Sequence, residues 1–206
     1  MKKICFAFAM LFSVTVCGMA NAGKDSLPAI LALLLGGSSH PPVAASTLPD
    51  TGQTGDYTAT FGEDSDYTIN PPSYTDNQNG TVSDNNTGLM WQQAGVVQKY
   101  NWYQAAGIYD ATFNPTTQNV CEAQTTGGYS DWRLPTKKEL MGIVDYGRDS
   151  PSIDPIFTGS QASWYWSSTT DAGNVGNAWQ VNFNPGSVFN YNKSYNDYVR
   201  CVRGGQ

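Results

Sequence analysis

The chain has 206 residues, 17 of them acidic and 11 basic, for a formal net charge of −6. This length bounds the protein to one domain with extensions. The acidic balance argues against nucleic acid or other polyanions as partners, because phosphate and sulfate contacts need clustered Lys and Arg.

Residues 1–22 read as a secretory signal peptide. Lys2 and Lys3 form the positive n-region, Ile4 to Val16 the apolar stretch, and Ala20-Asn21-Ala22 a small-x-small cleavage site. Its removal takes two lysines and no acid, leaving nine basic and 17 acidic residues, a net charge of −8. The expected location is therefore secreted, periplasmic or at the cell surface. A lipid anchor on Cys17 is the alternative, against which Val16 is bulky for the position before a lipidated cysteine. Residues 23–47 read as a low-complexity tether. Leu27 to Leu35 is apolar but nine residues long, and a bilayer span takes about 20, so no membrane span is expected. A short membrane-proximal or partner-binding segment is the other reading of that stretch.

A domain is expected over 48–206. Its first part, "DYTATFGEDSDYTINPPSYTD", alternates over short pieces, with Tyr57, Ala59 and Phe61 on one face, until Pro71-Pro72. The stretch "NGTVSDNNTGLMWQQ" predicts a hairpin. Thr81-Val82-Ser83 and Leu89-Met90-Trp91 are its strands, and 84–88 is the turn. Asn101 with Gln104 opens a predicted helix over 102–109. Thr136 with Glu139 forms a capping box for a second, in which Leu140, Ile143 and Val144 make the buried stripe and Gly147 the end. Strands follow at 163–168 and at 177–183, the latter with Trp179, Val181 and Phe183 inward. Asn184 to Ser187 is a turn, Val188-Phe189 starts the next strand, and Tyr198 to Arg203 forms the last. Helices in the first half and strands in the second give an α+β architecture.

Two cysteines, Cys121 and Cys201, remain after signal cleavage. An even pair in an exported chain reads as one disulfide. It would close a loop of roughly 80 residues and contribute on the order of 4 kcal/mol. Metal ligation or nucleophilic catalysis are the alternatives, but both want further His or Cys, and the single His, His40, lies in the tether. Ser167 and Ser168 have no such partner in sequence, so no catalysis is expected. Calcium is the one cofactor to weigh. Asp76, Asn77, Asn79 and Asp84 offer oxygens, yet with Gly80 in place the calcium-loop pattern puts Thr75 first, and tight turns ask for the same residues. Neither a cofactor nor a metal is therefore expected. Trp91, Trp132 and Trp179 read as core, and Arg133, Arg200 and Arg203 as half-buried ion pairs with acids such as Asp131 or Glu139.

The tract between the last two predicted strands is rich in amides and phenols. Trp179, Asn182, Asn184, Asn190, Tyr191, Asn192, Ser194, Tyr195 and Asn196 are the candidate ligand-binding residues. Tyr supplies stiff amphipathic area and Asn and Ser adaptable hydrogen bonding, as in antibody loops. A solvated turn region is the plainer alternative. The composition also fits a tract diversified at Asn-type codons by a retroelement, which would make a variable receptor-binding protein.

Four pieces occur in order: "GTVSDNNTGLMWQ", "GGYSDWRLPTKKEL", "YWSSTT" and "YVRCVRGG". Together they resemble the family named after the C-terminal domain of the Legionella collagen-like protein. With "LPDTGQT" and "FGEDSDY" the resemblance spans roughly 48–206. "WRLPTKKEL" alone is also similar to the formylglycine-generating sulfatase-modifying family, a distant relative in the C-type lectin-like group. The resemblance implies a C-type lectin-like fold, with two helices flanking a twisted antiparallel sheet and a ligand face on the last strands. It further implies a bacterial surface adhesin for a glycan or protein ligand, in a homo-oligomer, specifically a trimer. A structural assembly module is the competing function, and a formylglycine-type enzyme a remote third. Sulfated polysaccharide, bound elsewhere in that family, does not carry over, since the mature chain is net −8 and only Lys193 lies in the candidate loop.

Overall fold

The computed structural model describes residues 48–67 and 69–204. The expected signal peptide, the tether with Leu27 to Leu35, Cys17 and His40 lie outside the described residues. Among those described, no helix is long and apolar enough to cross a membrane.

Most of the regular structure is β. In chain order the elements are β1 (Tyr74–Asp76), β2 (Thr81–Asp84), β3 (Met90–Gln92), β4 (Val96–Tyr100), α1 (Trp102–Ala106), α2 (Lys137–Met141), β5 (Trp164–Thr170), β6 (Asn177–Asn182), β7 (Ser187–Asn192), β8 (Asp197–Val199) and β9 (Val202–Arg203). One sheet has the order β1-β2-β3-β9, the other β4-β8-β5-β6-β7. The expected single antiparallel sheet is thus two sheets, and the larger is mixed, because β5 and β8 run parallel with Tyr165 opposite Tyr198. The two α-helices among the described residues are five residues each.

The predicted hairpin forms with Val82 opposite Trp91, and both side chains are fully buried. Asp84 makes its turn: Oδ1 accepts from the Asn86 and Thr87 amides, and Oδ2 from the Thr87 hydroxyl. Asn79 accepts from the Thr81 amide and hydroxyl. Asp76 accepts from the Gln78 amide and the Gln93 side chain. These oxygens therefore serve turn chemistry.

Both capping boxes form. Asn101 accepts from the Gln104 amide, and Thr136 from the Glu139 amide, each with the reciprocal side-chain bond. The helices are shorter than predicted. Helix α1 stops at Gly107, whose φ of 70° is the left-handed cap that favours glycine. Helix α2 ends at Gly142, not Gly147. Leu140, Ile143 and Val144 are nonetheless all buried, because the chain keeps one further turn against the core. The alternating reading of 57–61 fails: Tyr57 and Phe61 are 71% and 73% exposed, and the nearby regular structure is a 3-10 turn at Asp64–Asp66. No partner strand is available there, so alternation alone does not make a strand.

The predicted last strand is divided. Residues up to Val199 belong to the large sheet, and Val202 and Arg203 pair with β3 in the small one. Arg200 and Cys201 make the passage between sheets. The Arg200 side chain is fully buried and donates to the Gln92 and Gln93 carbonyls and the Ser160 hydroxyl. Among the described residues it has no carboxylate partner, contrary to the ion-pair reading, and burial pushes its guanidinium down to about 10, still protonated at neutral pH. Arg133 and Arg203 do form the expected pairs, with Glu139 and Asp131. Cys121 and Cys201 form the disulfide across 80 residues of sequence.

Two core clusters result. Tyr165, Val181 and Phe183 meet Trp91, Leu140 and Ile143 on one side of the large sheet. Trp166, Ala178 and Val199 meet Trp102, Trp132 and the disulfide on the other. Neighbouring residues of β5 and β6 thus enter different cores, as the period-2 alternation of a strand requires.

Candidate ligand-binding groove

In the large sheet Trp164 stands opposite Asn182 and Trp166 opposite Gln180. Gln180 stands opposite Phe189, and Ala178 opposite Tyr191. By alternation, Trp164, Trp166, Ala178, Gln180, Phe189 and Tyr191 share a face. Trp166 and Ala178 are covered in the core that includes α1. The rest of that face stays partly open.

The chain after β7 shapes it. Strands β7 and β8 lie on opposite sides of the β5–β6 pair, so residues 193–196 must cross the sheet. Lys193 anchors the start of the crossing: its amide donates to the Gly176 carbonyl and its carbonyl accepts from the Trp102 amide. The Lys193 ammonium lies 3.9 Å from the Trp102 ring centroid and donates to the Thr170 hydroxyl. This side chain is buried, and burial lowers its pKa. The one basic residue of the tract therefore points into the fold.

Beyond Lys193 the crossing and the sheet enclose a groove of about 370 Å³. Trp164, Phe189, Tyr191 and Tyr195 are its walls, Gln180 and Asp197 its floor, and Asn196 stands at the rim. The Tyr191 and Tyr195 rings are 4.6 Å apart and tilted by 53°. Trp164 and Phe189 pair at 6.4 Å. Gln180 is buried, and its Nε2 donates to Asp197 Oδ2 at 2.6 Å. Burial raises the Asp197 carboxyl, opposed by the Gln180 bond and the Lys99 charge.

The predicted site residues divide between this groove and other places. Tyr191, Tyr195 and Asn196 line it. Trp179 and Asn190 face the other way: the Lys137 ammonium sits 4.0 Å from the Trp179 ring centroid, and Asn190 donates to Asp171 and accepts from Asn177. Asn182 accepts from the Asn184 amide, and Asn192 from the Ser194 amide and hydroxyl. Those four residues build the turns. Sequence reading missed Trp164, Gln180 and Phe189. The spacing Phe189-x-Tyr191 on a strand carried the signal for one of them, since alternate residues share a face. Gln180 and Asp197 meet only through the crossing.

A second hollow of about 350 Å³ lies along the 148–160 loop. Two of its polar side chains are engaged by the fold: Asp154 accepts from the Ile156 amide, and the Ser160 hydroxyl bonds the Phe157 carbonyl and Arg200.

No significant match to a curated protein was found. The sequence model of the Lcl C-terminal domain matches residues 80–203. That span holds both capping boxes, the disulfide and every residue of the groove, and it covers more than half of the chain. The family expected from the four motifs is thus the one found: this chain belongs to the Lcl C-terminal domain family.

Proposed function

We propose that the chain is an exported, non-catalytic binding module of C-type lectin-like fold whose ligand seat is the aromatic groove between β5–β7 and the 193–196 crossing. The observation that carries this reading is the gathering of four aromatic side chains around a polar floor on a sheet. Phe189, Tyr191 and Tyr195 are 58%, 42% and 55% exposed. Large rings held open beside placed polar groups are what ligand sites present. The fold reading is supported by family membership, by two short helices with a mixed sheet, and by the long-range disulfide. A binding role without chemistry is supported by the engagement of three of the four candidate nucleophiles: Cys121 and Cys201 are bonded to each other, and the Ser167 hydroxyl donates to the Trp179 carbonyl.

The test is Tyr191→Ala with Tyr195→Ala on an array of glycans and intact cells. Loss of binding is expected. A ligand bound equally well by the double variant places the seat elsewhere. One feature favours an assembly role as second reading: β7 is an outer strand of its sheet and carries exposed Phe189 and Tyr191. Light scattering on the purified protein separates the two. A trimer dispersed by the same double variant would make the groove an assembly surface.

A further inference from the structure

The floor of the groove holds a carboxylate and an amide oxygen with acceptor capacity to spare. Beyond the Gln180–Asp197 bond, no hydrogen bond among the described residues reaches Gln180 Oε1 or Asp197 Oδ1, and none reaches the Asn196 side chain. Gln180 Nε2, the amide donor at the floor, gives one of its two N–H groups to Asp197. Among the described residues no Lys or Arg lines the groove. Lys193 is turned onto Trp102, and Lys99 lies against the Tyr198 ring, 4.7 Å from its centroid. The walls are aromatic faces, which bear partial negative charge.

Each feature restricts the ligand. A carboxylate floor without a lining cation repels sulfate, phosphate and carboxylate groups. Unpaired acceptors at the base of a partly desolvated site call for donors, and a donor bonded to an ionised carboxylate is worth more than a neutral pair. Aromatic walls call for an apolar or weakly positive surface. The volume is well above that of a small alkylammonium head and within the range of ligand pockets, about 300–1,000 Å³. A pyranose ring meets all of these requirements: axial C–H bonds form an apolar face for Tyr191 and Tyr195, and vicinal hydroxyls supply the donors.

On the reading of this groove as the ligand seat, we propose that it takes an uncharged pyranoside, with its C–H face on the tyrosine pair and its hydroxyls donated to Asp197 and Gln180. Asp197 selects against anionic sugars. Because burial holds its carboxyl above the usual aspartate range against the pull of Gln180 and Lys99, binding weakens on mild acidification.

The test titrates the full secreted chain with maltotriose, lactose and mannotriose, and separately with a heparin-derived tetrasaccharide and tetramethylammonium. Saturation-transfer NMR and tryptophan fluorescence report binding. Expected is binding of a neutral saccharide that weakens about tenfold in Asp197→Asn, the equivalent of one lost charge-assisted hydrogen bond. That variant also loses the acid sensitivity. Should it not fold by circular dichroism, Asn196→Ala, at an exposed position, and the wild-type pH profile carry the test. Binding of only the sulfated tetrasaccharide, or only tetramethylammonium, overturns the ligand class. The groove itself survives if Tyr191→Ala abolishes that binding. No binding by any of the three neutral saccharides also overturns the proposal. The groove reading falls separately, if a ligand from the cell array is indifferent to the double tyrosine variant.

Discussion

Glu139 allows the most complete prediction. It sits at the third position of α2 and accepts both Arg133 terminal nitrogens, at 2.9 and 2.7 Å. It also accepts the Thr136 amide at 2.7 Å. Arg133 in turn donates to the Gly204 carbonyl, and its main chain pairs with Val202. One carboxylate therefore ties the start of α2 to the strand that closes the small sheet. The two side chains are 26% and 19% exposed, between the surface pairs that contribute about 0.2–1 kcal/mol and fully buried ones. A bidentate pair at that depth is worth about 1–2 kcal/mol, and the helix cap about 1 kcal/mol more. Glu139→Ala should cost about 2–3 kcal/mol, or about 4–12 °C in Tm for a domain of this size. A cycle with Arg133→Met, read by urea unfolding, isolates the pair.

The pH dependence has a definite sign. Burial raises the Glu139 carboxyl, but Arg133 and Thr136 together outweigh it and hold it below the usual glutamate value. A depressed folded-state value means stability present above the unfolded pKa and lost as pH falls through the folded one. The Arg133–Glu139 coupling should therefore be full at pH 7 and vanish in acid below the depressed value. A coupling energy under about 0.3 kcal/mol at pH 7, the size of ordinary non-additivity, would refute the assignment, as would one that persists once Glu139 is protonated.

Three further outcomes are expected. Reduction and alkylation of Cys121 and Cys201 should destabilise the domain by about 4.5 kcal/mol in the chain-entropy account, measured by urea unfolding of both forms; intact mass should show no free thiol before reduction. Lys193→Met should cost about 1–2 kcal/mol through the Trp102 and Thr170 contacts while leaving saccharide titrations unchanged, and a change in binding without loss of stability would contradict its placement under the crossing. Gly186→Ala should cost about 2–4 kcal/mol in thermal unfolding, because φ is +80° there and an added Cβ would lie 2.7 Å from both Tyr146 and Val144.

The division between sequence and structure follows the range of the interactions. Local rules were legible directly. The Asn101–Gln104 and Thr136–Glu139 boxes, the 81–92 hairpin and the buried Leu140, Ile143 and Val144 depend on neighbours a few residues away, and all are in place. The cysteine pair was legible because the expected cleavage after Ala22 would leave two of the four cysteines and hence one pairing. Two errors came from judging a segment without its partners: 57–61 alternates but finds no strand to pair with among the described residues, and 198–203 reads as one strand yet divides between sheets at buried Arg200. The candidate site was legible only in composition. An asparagine that closes a turn and one that meets a ligand look alike in sequence, and only the hydrogen bonds of Asn182 and Asn192 distinguish them. Which aromatic rings share a face depends on the strand boundaries of β5 and β7. That Gln180 meets Asp197 depends on the chain crossing the sheet between β7 and β8, an arrangement set by packing of whole strands and specified by no local residue pattern.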